Sequence, residues 1–169
     1  QFLQTNGSGV LSFAAVSGGV TFKEGGTNFT NSLLVGTDGT GTLSSADGNT
    51  GVGTGVLAAL TTGDNNVAVG LNALDANTTG SQNVAMGNAA LGTNTTASNN
   101  VAAGNFALNS NTTGASNVAI GRLAMENNTT ASDNTAVGES ALATNTTGCC
   151  NVSVGQGALA ANTTANNNT

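Results

Sequence analysis

Few residues in this chain are of a kind that could do chemistry. Histidine is absent, and the carboxylates Asp64, Asp75, Glu126, Asp133 and Glu139 are scattered rather than paired. General acid–base work needs two titratable groups held together, and a Ser-His-Asp relay needs an imidazole. Neither has raw material here, so the chain is expected to be a non-enzyme that needs no cofactor. Asp38-Gly39 and Asp47-Gly48 raise the question of calcium, but neither follows an EF-hand or nonapeptide spacing, and both read as turns. The two cysteines, Cys149 and Cys150, are adjacent. With no second pair and no histidine they cannot complete a zinc site. They read first as two small turn residues; the sharper alternative is a disulfide between neighbouring chains of an oligomer. Asn-Thr-Thr recurs six times, at Asn77, Asn94, Asn111, Asn128, Asn145 and Asn162, and is formally a glycan-acceptor sequence. The reading we favour is a repeated corner whose Asn amides stack inward.

That regularity leads to the elements beneath it. Asn66-Val67-Ala68-Val69-Gly70 returns as Asn83 to Gly87, Asn100 to Gly104, Asn117 to Gly121, Asn134 to Gly138 and Asn151 to Gly155, always seventeen residues on. Asn49-Thr50-Gly51-Val52-Gly53 is a degenerate earlier copy, and Ser32-Leu33-Leu34-Val35-Gly36 fits loosely one step before it. From Asn49 onward there is no insertion or deletion, the mark of one geometric unit stacked on the last. We number the repeat from its pentad Asn as position 1. Positions 2 and 4 are mostly Val, Ile or Met with Ala or Ser between them, which predicts a short strand with two inward apolar residues. Position 5 is Gly in all seven copies (Gly53, Gly70, Gly87, Gly104, Gly121, Gly138, Gly155), as a positive φ or a close backbone approach requires. Ala-Leu at positions 8 and 9, as in Ala73-Leu74, predicts a second inward cluster. Position 15 accepts Gly or Ala, so a positive φ is not expected there.

A helix is excluded, because no apolar set recurs at i, i+3, i+4, i+7 and Gly, Asn and paired Thr are poor helix formers. The expected fold is all-β: a parallel β-solenoid of 17-residue coils, in which like columns become ladders about 4.8 Å apart. Seven coils over 49–169 make a rod of roughly 34 Å. The Asn ladders at position 1 (Asn66, Asn83, Asn100, Asn117, Asn134, Asn151) and at position 12 suit this stacking, since amides hydrogen-bond along the axis. The chain stops two residues into a further repeat, and more coils are expected beyond Thr169. Residues 1–31 lack the period and read as a non-repeat β segment or adaptor, with hairpin turns such as Asn6-Gly7 and most of the Phe; 32–48 reads as an irregular transition coil. Each coil offers its interior only two Val-sized side chains, a Leu and an Ala or two. That is little against the ordering of seventeen residues, so burial against other chains, as a homotrimer, is expected.

Composition narrows the partners. The only cations are Lys23 and Arg122, too few to form the basic face that nucleic acid demands. No apolar run is long enough for a membrane-spanning helix, and no signal-peptide pattern opens the chain at Gln1. Low-complexity disorder is set aside because the apolar residues keep fixed columns.

The pentads, Asn117-Val118-Ala119-Ile120-Gly121 above all, resemble the small-Val-Ala-Ile-Gly motif of trimeric autotransporter adhesin heads. That resemblance implies a left-handed parallel β-roll trimer that binds host surfaces. The repeat here is longer and adds the Asn-Thr-Thr corner. The opening Phe2-Leu3-Gln4-Thr5-Asn6-Gly7-Ser8-Gly9-Val10-Leu11-Ser12-Phe13, combined with the coils, is similar to tail-fibre proteins of bacteriophages. It implies the rod or spacer of a virion tail fibre that mediates host attachment. A bacterial surface adhesin or self-assembling extracellular filament is the alternative, and an ice-binding Thr array a lesser one. Any receptor or glycan is expected to meet positions 6, 7, 10, 11, 16 and 17, which vary most and include Leu71, Phe106, Arg122-Leu123 and Glu139. The fibre reading rests on one circuit per seventeen residues with Val67, Val84 and Val101 turned inward.

Overall fold

The computed structural model describes residues 45–169, and before them the backbone of 4–5, 11–12, 29–30 and 33–35. Twelve short strands are present and no helix occurs among the described residues. They are β1 (Gln4–Thr5), β2 (Leu11–Ser12), β3 (Phe29–Thr30), β4 (Leu33–Val35), β5 (Ala46–Asp47), β6 (Thr50–Val52), β7 (Val67–Val69), β8 (Val84–Met86), β9 (Val101–Ala103), β10 (Val118–Ile120), β11 (Thr135–Val137) and β12 (Val152–Val154). β4 and β6 to β12 stack in sequence order into one eight-stranded parallel sheet. Every pairing is offset by one repeat: Val67 faces Val84, Ala68 faces Ala85 and Val69 faces Met86. The chain is a parallel β-solenoid, and seventeen residues make one circuit.

The seventeen-residue offset begins before the strict repeat. Leu33 to Val35 pairs with Thr50 to Val52, and Phe29 with Ala46. The sheet therefore takes in 33–35 from the transition coil, and the offset reaches back to Phe29, inside the leading segment. In that segment β1 and β2 form an antiparallel pair, with Thr5 opposite Leu11; the expected turn at Asn6-Gly7 lies outside the described residues. The rest of the proposed adaptor lies outside the described residues.

Around the remainder of the circuit the backbone bonds from coil to coil much as a sheet does. Leu74 N–H donates to Ala90 O at 3.1 Å, Ala76 N–H to Gly92 O at 3.1 Å and Thr78 N–H to Thr95 O at 2.9 Å. The wall facing the strands is made of overlapping turns: Ala90 N–H reaches Gly87 O, Gly92 N–H reaches Ala89 O, and Asn94 N–H reaches Leu91 O. Each of the first two turns carries a positive φ at its third residue, so position 7 and, less expectedly, the inward Leu of position 9 are left-handed. Leu74, Leu91, Leu108 and Leu142 all sit near φ +52. A left-handed Leu costs about 1–2 kcal/mol; here the stacked neighbours hold it, and each of these Leu side chains is fully buried.

Position 5 needs glycine for both reasons anticipated. Gly87 has φ +138, and a Cβ there would lie 2.5 Å from the Gly104 carbonyl oxygen of the next coil. Position 15 has ordinary φ even where it is Gly80 or Gly114.

One expectation is overturned. Within each strand it is the small residue of position 3 that points inward: Ala68, Ala85, Ala102, Ala119 and Ala136 are all fully buried. Val67, Val84 and Val101 at position 2 are half-buried on the outer side, and position 4 is more exposed still, with Val69 at 39%, Met86 at 47% and Ile120 at 42%. The reason is the width of the interior. The facing wall already sends in Leu from position 9 and Ala from position 8, which form one buried cluster with the position-3 Ala residues. The walls lie so close that in the last coil Ser153 Oγ donates across the interior to Ala158 O, at 2.6 Å. Only small side chains fit between them. Strand alternation then sends both flanking apolar residues out. The inward-Val condition on the fibre reading is therefore not met; the circuit length and the stacking of like on like are.

Candidate interaction surface

The consequence is an apolar stripe on the outside of the sheet. Position 2 supplies Val67, Val84, Val101 and Val118; position 4 supplies Val52, Val69, Met86, Ala103, Ile120 and Val137. Neighbouring strands are spaced at about 4.8 Å, and the stripe is two columns wide from β7 to β10, with Thr50 and Thr135 taking position 2 in β6 and β11. None of its residues is charged. Leu71 at position 6 and Phe106 at position 7, both exposed, extend it at the edge where the chain leaves the strand. A contiguous exposed apolar patch of this kind marks an interaction site.

The corner beside that edge is polar and variable. Arg122 Nη1 bonds Glu139 Oε1 of the next coil at 2.6 Å, and Gln156 Nε2 approaches Glu139 Oε2 at 3.4 Å, both exposed. An exposed pair of this kind contributes about 0–1 kcal/mol, so this ladder decorates the rod more than it holds it.

Inside the rod, two Asn columns tie coil to coil. At position 1, Asn83 Nδ2 donates to Asn66 Oδ1 at 3.1 Å and to Ala97 O at 2.9 Å, while its backbone N–H also donates to Asn66 Oδ1. The same pattern repeats through Asn100, Asn117, Asn134 and Asn151. At position 12, Asn94 Nδ2 donates to Asn77 Oδ1 and to Ala97 O, both at 3.0 Å. Both columns thus converge on one carbonyl, that of position 15, and use both of its lone pairs. The ladder reading of Asn-Thr-Thr is what the geometry shows. Asn77, Asn94, Asn111, Asn128 and Asn145 are fully buried, so the folded coil offers no side-chain nitrogen for a glycan there. The half-buried Asn162 makes the same two bonds, to Asn145 Oδ1 and Ala165 O. The two Thr residues that follow differ. Thr78 Oγ1 donates to Thr95 O at 3.0 Å, whereas Thr79, Thr96, Thr113, Thr130 and Thr147 are exposed, leaving one outward Thr in each of these Asn-Thr-Thr corners.

Cys149 and Cys150 occupy positions 16 and 17 at the corner that leads into the strand, with both thiols free and the sulfurs 3.2 Å apart. Asp47 Oδ1 is buried without a partner among the described residues, and the neighbouring Asp64 Oδ1 accepts from Asp47 N–H at 2.8 Å. Gly48, which follows Asp47, takes φ +66 as a turn residue; Asp38-Gly39 lies outside the described residues. Among the described residues no three of His, Cys, Asp and Glu gather as a metal site would need, and no helix is long and apolar enough to cross a membrane. The outward stripe was missed in the sequence because Val-Ala-Val alternation fits either face; the available clue was the invariably small position 3.

Fold and surface together define a repeat wall, a β-solenoid whose most distinctive exposed feature is apolar. No family model, curated protein or solved structure matches the chain.

Proposed function

We propose that this chain is a structural, non-enzymatic rod segment of an extracellular attachment fibre, of the virion tail-fibre kind, built as a homotrimer around the strand faces of three copies. The observation that carries this reading is the apolar stripe. It is uncharged, it repeats with the rise of the solenoid, and a second copy in the same axial register presents a matching column at every level. Burying such side chains gains about 25 cal/mol per Å² removed from water. A closed three-fold arrangement covers the stripe on every copy and leaves no free one to propagate sideways. The variable positions 6, 7, 10, 11, 16 and 17, apart from the stripe-extending Leu71 and Phe106, then remain outside for a receptor or glycan on the host surface, and the rod serves as spacer.

Native mass spectrometry with negative-stain imaging tests this. A trimeric rod is expected. A monomer at micromolar concentration would sink the proposal, and an open filament of indefinite length would favour the self-assembling alternative.

A further inference from the structure

The corner formed by Cys149 and Cys150 has features that neither fold nor fibre requires. Other coils place Ser81, Ser98 or Ser132 at position 16 and Ser116 or Asp133 at position 17, so the repeat closes without sulfur. Here two adjacent thiols share one exposed corner. Cys150 sits at φ +61, the left-handed conformation that every coil adopts at position 17. The backbone is pinned on both sides: Cys149 N–H donates to Asn166 Oδ1 at 2.7 Å, and Cys150 N–H to Ser132 O at 3.3 Å. The corner thereby holds the Cys150 thiol against the Cys149 sulfur at 3.2 Å. That hydrogen bond, followed by slight desolvation and by the charges of Cys149 and Asp133, keeps the Cys150 thiol protonated above the usual thiol range.

Within a single chain two fates are open to such a pair. Oxidation to a Cys149–Cys150 disulfide is strained, because α-carbons across a trans peptide lie about 3.8 Å apart and disulfides want roughly 4.4–6.8 Å. Bridging by a third atom is not. With arms of about 2.3 Å, as in metal–thiolate bonds, a 3.2 Å sulfur separation subtends about 90°. That is tighter than the tetrahedral angle zinc prefers and suits a pyramidal centre bearing a lone pair. We infer that Cys149 and Cys150 form a chelating dithiol site for trivalent, pyramidal thiophilic centres, of which an organic arsenic(III) oxide is the defining ligand. In the reaction two As–S bonds form, both thiol hydrogens leave with the oxide oxygen as one water, and no electron is transferred.

Phenylarsine oxide added at one equivalent to the full chain, reduced with a phosphine, tests this. Intact mass should show one phenylarsine oxide gained less one water, that is, one phenylarsenic unit in place of two thiol hydrogens, and both titratable thiols should disappear together. A small dithiol should release the arsenical, while a monothiol at equal concentration should not. Cys149→Ser and Cys150→Ser copy residues other coils already carry at these positions, so both should fold with unchanged circular dichroism. Each should hold the arsenical roughly 10²-fold or more weakly, as loss of a two-point attachment implies. Two thiols that stay titratable, or a single-cysteine variant that binds as firmly, would overturn the inference, and Zn²⁺ bound as tightly as the arsenical would overturn its pyramidal preference.

Discussion

The two walls of this solenoid solve the same problem in opposite ways. The strand wall uses ordinary extended backbone and puts its small residue inside and its large ones out. The turn wall uses left-handed backbone and puts its large residue inside. Leu91, at φ +52, fills the interior; Ala85 opposite yields room to it, and Met86 beside Ala85 faces outward at 47% exposure. In an interior this thin only one wall can contribute bulk. The wall that contributes it carries the conformational strain, and the wall that yields becomes the interaction surface.

Substitutions can break or sharpen this contrast. The largest effect is expected at Gly104→Val, where the junction between strand and turns cannot accept a side chain. Its Cβ position lies against the Gly121 carbonyl at φ +147, and strain plus overpacking should cost about 2–6 kcal/mol in urea denaturation. Next, Leu108→Ala on the turn wall should cost roughly 2–5 kcal/mol by the same measurement. Asn100→Ala strips a stacked amide and leaves the buried Asn117 backbone N–H without its acceptor, while Asn83 Oδ1 keeps the backbone N–H of residue 100, Gly114 O keeps Asn111 Nδ2 and Asn117 Nδ2 keeps Ala131 O. At about 1–3 kcal/mol for that unpaired donor, with the other lost side-chain bonds adding to it, a loss of roughly 2–4 kcal/mol is expected. Ile120→Asp on the strand wall should change the stability of an isolated chain by no more than about 0.5 kcal/mol. Its effect should be on association, lowering the native mass from trimer to monomer with the β-sheet dichroism retained. If Ile120→Asp unfolds the single chain as Leu108→Ala does, the contrast between the walls is wrong. The smallest effect belongs to Arg122→Ala, which removes an exposed pair and should cost under about 1 kcal/mol.

The leading segment and the coils differ in how readable they were. The strict copies announce a circuit because a column of Asn or Gly has meaning only if its members meet. Buried Asn is tolerable when its amide is satisfied, and stacking at one repeat satisfies it. Position 17 could have been read as left-handed, since Gly48, Asn65, Asn99 and Asp133 are residues that tolerate positive φ. Position 9 could not. Leu carries no such signal, and its φ follows from how three overlapping turns must fold to bring the chain back over the strand.

Sequence alone thus determined the period, the stacking of like on like, the glycine at position 5 and the two Asn ladders, because each is a property of one column repeated. Only the tertiary structure decided which face of each strand is the inside. That choice depends on how far away the opposite wall lies and how much of the gap it fills, and an alternating pattern carries neither quantity.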